Sequence, residues 1–380
     1  MARMPASARA RRAPRVVMLT PAFPPEVGGI QLLCARLAEL LPRFELTVVA
    51  PAARGPSAEA TVPLAKRAPA ATLRLPGPAP TAALNAYAAA LMRIVRPDLI
   101  LNMHIATAPA AWTARAPYVQ YVYASELPPR RALARRALSR ATSVVAISSH
   151  SRELAISHGA DAAKVVTIAP GVDQPATPVS ADAPRDSGRL LMVSRMDEHY
   201  KGHETLIRAL PLVRAAVPQL RARLAGDGRL RPYLESLAAS AGVSAAVDFL
   251  GQLPTGQRDA ELRGASVFCL PSSTPPDGGG EGFGIALLEA GAFAVPVVAG
   301  RCGGALDAVA DGSTGVLLDD PRDHVELAGA LIRLLKDDQL ARRMGMAGQE
   351  HSQSFSWERT ALAVQEVCLA AIGAVGRTRR

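Results

Sequence analysis

The sequence predicts an α/β protein built from two doubly wound parallel sheets that face each other, and three observations predict it. Short β-branched runs alternate with longer alanine- and leucine-rich segments, the pattern of strands joined by crossover helices. That alternation stops once, at "PGVDQPATPVSADAPRDSG" (170–188), where proline, aspartate and serine take over, and then restarts. At 380 residues the chain is too long for one ordinary core, and its 49% hydrophobic content is that of a globular protein.

The elements follow in order. In the first half the strand candidates are "RVVML", "LTVVA", "DLILN", "YVQYVY", "SVVAIS" and "KVVTIA", with helices expected over Ile30–Leu41, Thr81–Val95 and Leu133–Ala141. In the second half they are "RLLMVS", "LRARLAG", "AVDFLG", "SVFCLP", "VPVVAG" and "TGVLLD". The expected boundaries are a basic tail over 1–14, a first domain over 15–172, a linker over 173–188 and a second domain over 189–357. The last segment, from "SWERTALAVQEVCLAAIGAV", reads as an amphipathic helix over 358–380, with Trp357 near its start, that packs back onto the first domain.

Composition removes several function classes. No stretch reaches the roughly 18 apolar residues of a membrane span. The start, "MARMPASARARRAPRVVMLT", has no apolar block ahead of a cleavage site, so a cytoplasmic protein is expected. Cys34, Cys269, Cys302 and Cys368 show no C-x-x-C spacing, which argues against a disulfide frame or a structural metal. Net charge is +10, concentrated in Arg3–Arg15 and in "RRALARRALSR" (Arg130–Arg140). A solvated face is the plain reading of the second run; attraction to anionic lipid, at the inner face of a membrane, or to a phosphorylated acceptor is the sharper one. Aromatics are 4% of the chain, and no stacking platform for nucleic acid is visible.

The motifs sit just after the expected strands, where doubly wound sheets bind ligands. After the first strand, "PAFPPEVGGIQ" opens a helix at Gly28–Gly29, offering free N–H groups and a dipole end to a phosphate or sugar. After the first strand of the second half, Arg195 and Lys201 bracket a short loop before Gly202 and a helix, a pairing suited to a diphosphate. His199 and His203 stand at i, i+4 spacing, but Lys201 and Gly202 between them spoil a metal site. Gly226–Gly228 marks another strand end, and around Gly251, in "FLGQLP", a nucleobase could lie against backbone and apolar side chains.

The run "PDGGGEGFGIALLEA" (276–290) carries the sharpest signal, with Glu281 and Glu289 eight positions apart behind a glycine cluster. Gly282, Phe283 and Gly284, with Ile285 after them, would present amides at a helix N-terminus. Glu281 just ahead of the helix suits sugar hydroxyls. Glu289, about two turns in, could accept both hydroxyls of a ribose.

Taken together, "PPEVGGIQ", "SRMDEHYKGHETLIRAL", "GDGRL", "FLGQL" and "GGGEGFGIALLEAGAFAVPVVAGRCGG" resemble the retaining glycosyltransferases of family 4. The match runs over nearly the whole chain, and among members it looks most like the phosphatidylinositol-mannoside mannosyltransferases. The resemblance implies the GT-B fold, two facing Rossmann-like domains with a C-terminal crossover helix. It implies a hexosyl unit moved from a nucleotide-diphosphate sugar, GDP-mannose or a UDP-hexose or UDP-N-acetylhexosamine, to a lipid or small-molecule hydroxyl, with no metal or other cofactor. Arg195 and Lys201 would then bind the donor diphosphate, Glu289 the ribose, Glu281 and the amides of Phe283 and Gly284 the sugar, while Gly28 and Gly29 would admit the diphosphate and acceptor.

One segment departs from the family. Many members carry a histidine in an H-G-x-E segment where this chain reads "YASE", so Tyr123 or Ser125 stands in that place, with Glu126 on the acceptor side. A tyrosine hydroxyl is a poor base near neutral pH. The leaving phosphate can take the acceptor's proton instead, and His104, after "DLILNM", is the alternative contributor. Two other function classes remain open at this point: a nucleotide-sugar 2-epimerase of the same fold, and a non-catalytic glycan- or partner-binding protein.

Overall fold

The computed structural model describes residues 12–24, 28–51, 71–75, 80–180 and 186–378. Outside them lie 1–11 of the expected basic tail, Pro25, Glu26 and Val27 of the first glycine loop, and 181–185 of the expected linker.

The first sheet comprises β1 (Arg15–Leu19), β2 (Glu45–Pro51), β3 (Ala71–Leu75), β4 (Leu99–Asn102), β5 (Tyr118–Val122), β6 (Ser143–Ala146) and β7 (Val165–Thr167), in the order β3-β2-β1-β4-β5-β6-β7. The second comprises β8 (Arg189–Val193), β9 (Arg221–Ala225), β10 (Val247–Gly251), β11 (Val267–Leu270), β12 (Val297–Gly300) and β13 (Gly315–Leu318), in the order β10-β9-β8-β11-β12-β13. Neighbouring strands in both pair in parallel, and each order reverses beside its first strand, creating a crevice at the carboxyl ends. β3 was not expected from the sequence: it is an edge strand that pairs with β2 and carries Arg74 as the fourth of its five residues.

The helices are α1 (Gly29–Leu40), α2 (Thr81–Val95), α3 (Ala108–Thr113), α4 (Arg131–Arg140) and α5 (Ser149–Ser157) in the first half. In the second they are α6 (His203–Ala216), α7 (Arg231–Ser240), α8 (Thr255–Gly264), α9 (Ile285–Ala292), α10 (Ala305–Ala308), α11 (His324–Lys336), α12 (Asp338–Gln353) and α13 (Trp357–Thr378). None is long and apolar enough to cross a membrane. The described cysteines are free.

One face of the first sheet, bearing Met18, Tyr121, Tyr123, Val145 and Ile147, packs on α1 and α13, while Val17, Ile100, Val122 and Val144 face α2 to α5. Alternation along parallel strands buried on both faces produces these two cores. The chain therefore returns to the first sheet at its end, and Val364, Cys368 and Ala371 of α13 are buried there. The crossover is pinned beside 170–174: Val172 N donates to Phe355 O at 2.9 Å, and Thr360 Oγ1 donates to Ala169 O at 2.9 Å. Arg36 of α1 reaches Asp173 at 2.8 Å.

The two halves also touch across the crevice. Ser149 at the start of α5 donates through its amide and its hydroxyl to Asp307 of α10, at 3.1 and 2.8 Å, and His150 Nε2 meets the Gly279 carbonyl at 3.1 Å. These contacts bring the start of α5, after β6, onto α10 and the loop that follows β11.

Candidate active site

A buried ion pair forms the centre of the crevice. Lys201 Nζ lies 2.8 Å from Glu281 Oε2, with both side chains largely out of water, and Ser272 Oγ donates to the same oxygen at 3.3 Å. Burial alone would raise the Glu281 carboxyl, but Lys201, Ser272 and Arg195 outweigh it and hold the pKa below the ordinary value. For Lys201 burial acts downward, and Glu281 and Tyr200 outweigh it, so the ammonium is held above its usual range. Both partners are charged at neutral pH.

Backbone geometry makes this pair reachable. Gly202, at φ 83°, caps α6 directly after Lys201, and a Cβ there would sit 2.2 Å from the Pro271 carbonyl oxygen. Only glycine lets the β8 and β11 loops approach this closely. Gly284, at φ 88°, is the N-cap of α9, which has no side-chain cap, so amides of its first turn face the crevice with the positive end of the helix dipole. Arg195 is exposed on the rim, paired with Glu198 at 3.4 Å.

The first half closes the other side. A Cβ on Gly29 would meet Ile285 Cδ1 at 3.4 Å, which sets the Gly28–Gly29 loop against the start of α9. Gly282 lies under the first domain, where a Cβ would be 2.9 Å from the Tyr123 carbonyl oxygen, and Gly279 faces the Cα of Ser125 in the same way at 3.1 Å. Thus Lys201, Glu281, Gly282, Gly284, Ile285, Gly28, Gly29 and Ser125 converge, with Arg195 at the rim. Gly282 and Gly279 serve the close packing of two backbones here, in addition to any role toward a ligand. Phe283 turns its ring inward, edge-on to Phe355 at 5.8 Å between centroids, leaving its backbone at the crevice. Gly226 and Gly228 likewise admit backbone: their Cβ positions fall on the carbonyls of Ser194 and Met196.

Two expectations for the first half, those for Tyr123 and Glu126, need correction. Tyr123 does not present its side chain to the crevice: the ring packs 6.1 Å from that of Tyr121 and the hydroxyl is buried, with its pKa pushed well above the usual value by burial and then by Cys34. The physical reason is register, because Tyr123 continues the face of β5 that carries Tyr121 into the core. Glu126 is not turned toward an acceptor. Its two oxygens accept the Tyr123 and Ala124 amides, at 2.7 and 3.0 Å, and so fold the "YASE" loop on itself. Ser125 is the exposed side chain of that loop. His104 caps the turn Ile105–Thr107, with Nδ1 accepting the Ala106 amide at 3.0 Å; its neutral form therefore carries the proton on Nε2. Burial lowers its pKa, with Glu126 nearby acting the other way.

Glu289 is a buried residue of α9, and it meets Arg258 Nη1 of α8 at 3.0 Å. Gly251, at φ 68°, ends β10 and accepts the Gly226 amide at 2.7 Å; Arg231 stands beside it, donating to Phe249 O at 3.3 Å. His199 and His203 diverge, the first outward onto Glu204 and the second into the core. Sequence reasoning missed Ser272, Asp307 and Arg258. The first two fall at strand and helix ends without a recognisable spacing, and Arg258 is one of many surface-type arginines in the composition.

Comparison with known proteins fits this geometry. The family model described as "Glycosyltransferase Family 4" matches residues 27–174, and "Glycosyl transferases group 1" matches 173–351. A GDP-mannose-dependent alpha-(1-6)-phosphatidylinositol monomannoside mannosyltransferase of Mycolicibacterium smegmatis is 34% identical over 374 residues, covering 90% of this chain and 94% of the relative. The chain is a family 4 glycosyltransferase. A Mycobacterium tuberculosis protein of the same description is 32% identical to this glycosyltransferase, over 88% of this chain and 93% of its own. Among solved structures, the sucrose-phosphate synthase of Thermosynechococcus elongatus superposes with a TM-score of 0.81 at 22% identity, covering 95% of this chain and 100% of its own. Anabaena HepE in complex with UDP and glucose gives 0.73 at 22%, over 93% and 98%. These solved structures share the GT-B fold: two parallel-sheet Rossmann-like units. The fold and the family expected from the sequence are therefore those of the molecule.

His203 ties this site to stability. It opens α6 beside Lys201, is buried, and has its pKa pushed down to about 4 by burial and then by the Lys201 charge. An imidazole kept neutral in the native state takes up protons on unfolding, so stability is full above the unfolded value of 6.5 and is lost as pH falls from there to about 4. The interval of about 2.5 pH units, at 1.36 kcal/mol per unit, sets an upper limit of about 3 kcal/mol. Urea denaturation at pH 7.5 and pH 4.5 should show the natural protein losing up to that much more than His203→Leu over the same interval. Equal losses in both would contradict a buried neutral imidazole.

Proposed function

We propose that this glycosyltransferase is a retaining, metal-independent hexosyltransferase that uses GDP-mannose and transfers to a hydroxyl of a lipid or small-molecule acceptor. The observation that carries the reading is the buried Lys201–Glu281 pair beside the amide end of α9, the same helix start that the Gly28–Gly29 loop meets at Ile285. GDP-mannose as donor, and a lipid-linked sugar as the foremost acceptor, rest on the two mycobacterial mannosyltransferases, which match over most of this chain.

In this reading the donor diphosphate lies at the N-terminus of α9, where Lys201, Arg195 and the helix dipole stabilise the charge that grows on it as the sugar departs. Glu281 holds the sugar hydroxyls, Glu289 the ribose, and the strip around Gly251 the base. The bond from the anomeric carbon to the diphosphate oxygen breaks, and the acceptor oxygen bonds to that carbon from the same face. The acceptor's proton passes to the departing phosphate oxygen, so the "YASE" loop need not supply a base. The packed loops Gly282–Tyr123 and Gly279–Ser125 exclude water from the reacting centre. The cations already present do the work a divalent ion does in other transferases.

Incubation with GDP-mannose, UDP-glucose or UDP-N-acetylglucosamine, with and without EDTA, tests this through donor consumption and the anomeric NMR signal of the product. The expected result is consumption of GDP-mannose unaffected by EDTA, the α configuration retained, and a loss of about a hundredfold or more in Lys201→Ala. An inverted product, abolition by EDTA or a loss of only a few fold would overturn the corresponding part of the reading.

The lipid acceptor has a further support. The arginines of α4 (Arg131, Arg135, Arg136 and Arg140) are exposed, and among the described residues no carboxylate pairs with them. Two of them stand over the half-exposed ring of Trp112, at 4.9 and 5.4 Å, beside an open cavity of about 200 Å³. Arginine around an interfacial tryptophan suits an anionic bilayer surface. Sedimentation with phosphatidylglycerol vesicles should deplete the natural protein and leave R136S/R140S largely in solution at 0.1 M salt; equal partition of the two, or none, would remove this contact.

A further inference from the structure

Glu289 is the most unusual carboxylate in the crevice, because its burial is not matched by a network of donors. Its cationic partner among the described residues is Arg258, whose Nη1 lies 3.0 Å from Oε1. The groups around that pair are mostly of the wrong sign. Asp259 follows Arg258 on α8, its nearest oxygen 3.9 Å from Arg258 Nε, and Asp173 approaches from the segment that joins the two halves. Asp173 is itself shared with Arg36 of α1, which also holds Glu39 at 3.1 Å. Arg263, one turn along α8, acts on Asp259 and stacks over Phe293. Three carboxylates (Glu289, Asp259 and Asp173) therefore crowd the end of α9 that the proposed function gives to the nucleoside.

We infer that Arg258 is a positioning residue for donor binding: it fixes the Glu289 carboxylate in the ionised, two-oxygen form that a ribose diol requires. This inference rests on the assignment of Glu289 to the ribose. The physical argument has two parts. A diol donates two O–H groups, and only an ionised carboxylate accepts both without presenting a proton of its own. Burial pushes the Glu289 carboxyl above its usual range, and Asp173 and Asp259 push the same way; Arg258 opposes all three. Remove the cation, and a buried carboxyl beside two others takes up a proton more readily. Arg258 is itself confined mainly by burial. Its Nη1 engages Glu289, its Nε is buried and without a hydrogen-bond partner, and its side chain is about three-quarters covered. Cover of this kind keeps the cationic charge beside Glu289.

Calorimetric titration of the full chain with GDP, with UDP as a second probe, at pH 6 and pH 8 tests this on the natural protein, R258Q, R258K and E289Q, each first checked for a native thermal transition. R258Q should bind about tenfold more weakly at pH 8, as expected for weakening a hydrogen bond to a charged group, with a larger deficit at pH 6 where its Glu289 takes up more proton. R258K keeps the charge and should recover most of the binding and the pH dependence of the natural protein. E289Q should bind weakly at both pH values, with no pH dependence from this site. Natural affinity in R258Q at both pH values overturns the inference. So does a pH-independent loss shared equally by R258Q and R258K, which would mean that the guanidinium touches the nucleotide itself. Natural affinity in E289Q would instead overturn the ribose assignment, leaving a different signature from failure of the inference alone.

Discussion

A lysine and a glutamate removed from water together, Lys201 and Glu281, impose the constraint on which the rest of the crevice depends. Each buried ion costs several kcal/mol in lost hydration, and only close, well-directed contact returns it. Close contact needs the β8 and β11 loops side by side, which is why Gly202 stands against the Pro271 carbonyl where no side chain fits. It also needs a second donor on the carboxylate, which Ser272 provides. A structural ion pair of this type can often be replaced by apolar residues with little loss of stability, and its place in a crevice is what supports the role proposed for it.

The same economy governs how the halves meet. Where two domains close on a polar ligand, side chains between the backbones would hold them apart. Here the meeting points are Gly282 on the Tyr123 carbonyl, Gly279 on Ser125 and Gly29 on Ile285. Polar contacts flank these points, Ser149 on Asp307 and His150 on the Gly279 carbonyl, while α13 returns to the first sheet and ties the far side of the junction. The crevice is thus bounded by backbone and small polar groups, a surface suited to phosphates and sugar hydroxyls.

Much of this was legible in the sequence. The strand-forming runs were readable because parallel strands buried on both faces must be short, apolar and β-branched; β3 escaped because an edge strand that carries Arg74 is neither buried on both faces nor wholly apolar. The candidate site was legible wherever it depends on spacing, as with Glu281 four residues ahead of α9 and Glu289 within it. It was illegible wherever it depends on which face a residue takes. With both faces of β5 buried, nothing in "YVQYVY" says that Tyr123 shares the inward side of Tyr121, and nothing in "YASE" says that Glu126 folds back on its own loop. Arg258 and Asp173, far apart in sequence, become partners of Glu289 only once α8, α9 and the joining segment are packed.

The most direct test of the central claim is a crystal structure of the protein with GDP bound. The account places the diphosphate at the N-terminus of α9, within hydrogen-bond distance of Lys201, with the ribose hydroxyls on Glu289. A nucleotide seated elsewhere, or one whose diphosphate leaves the Lys201–Glu281 pair untouched, would contradict it.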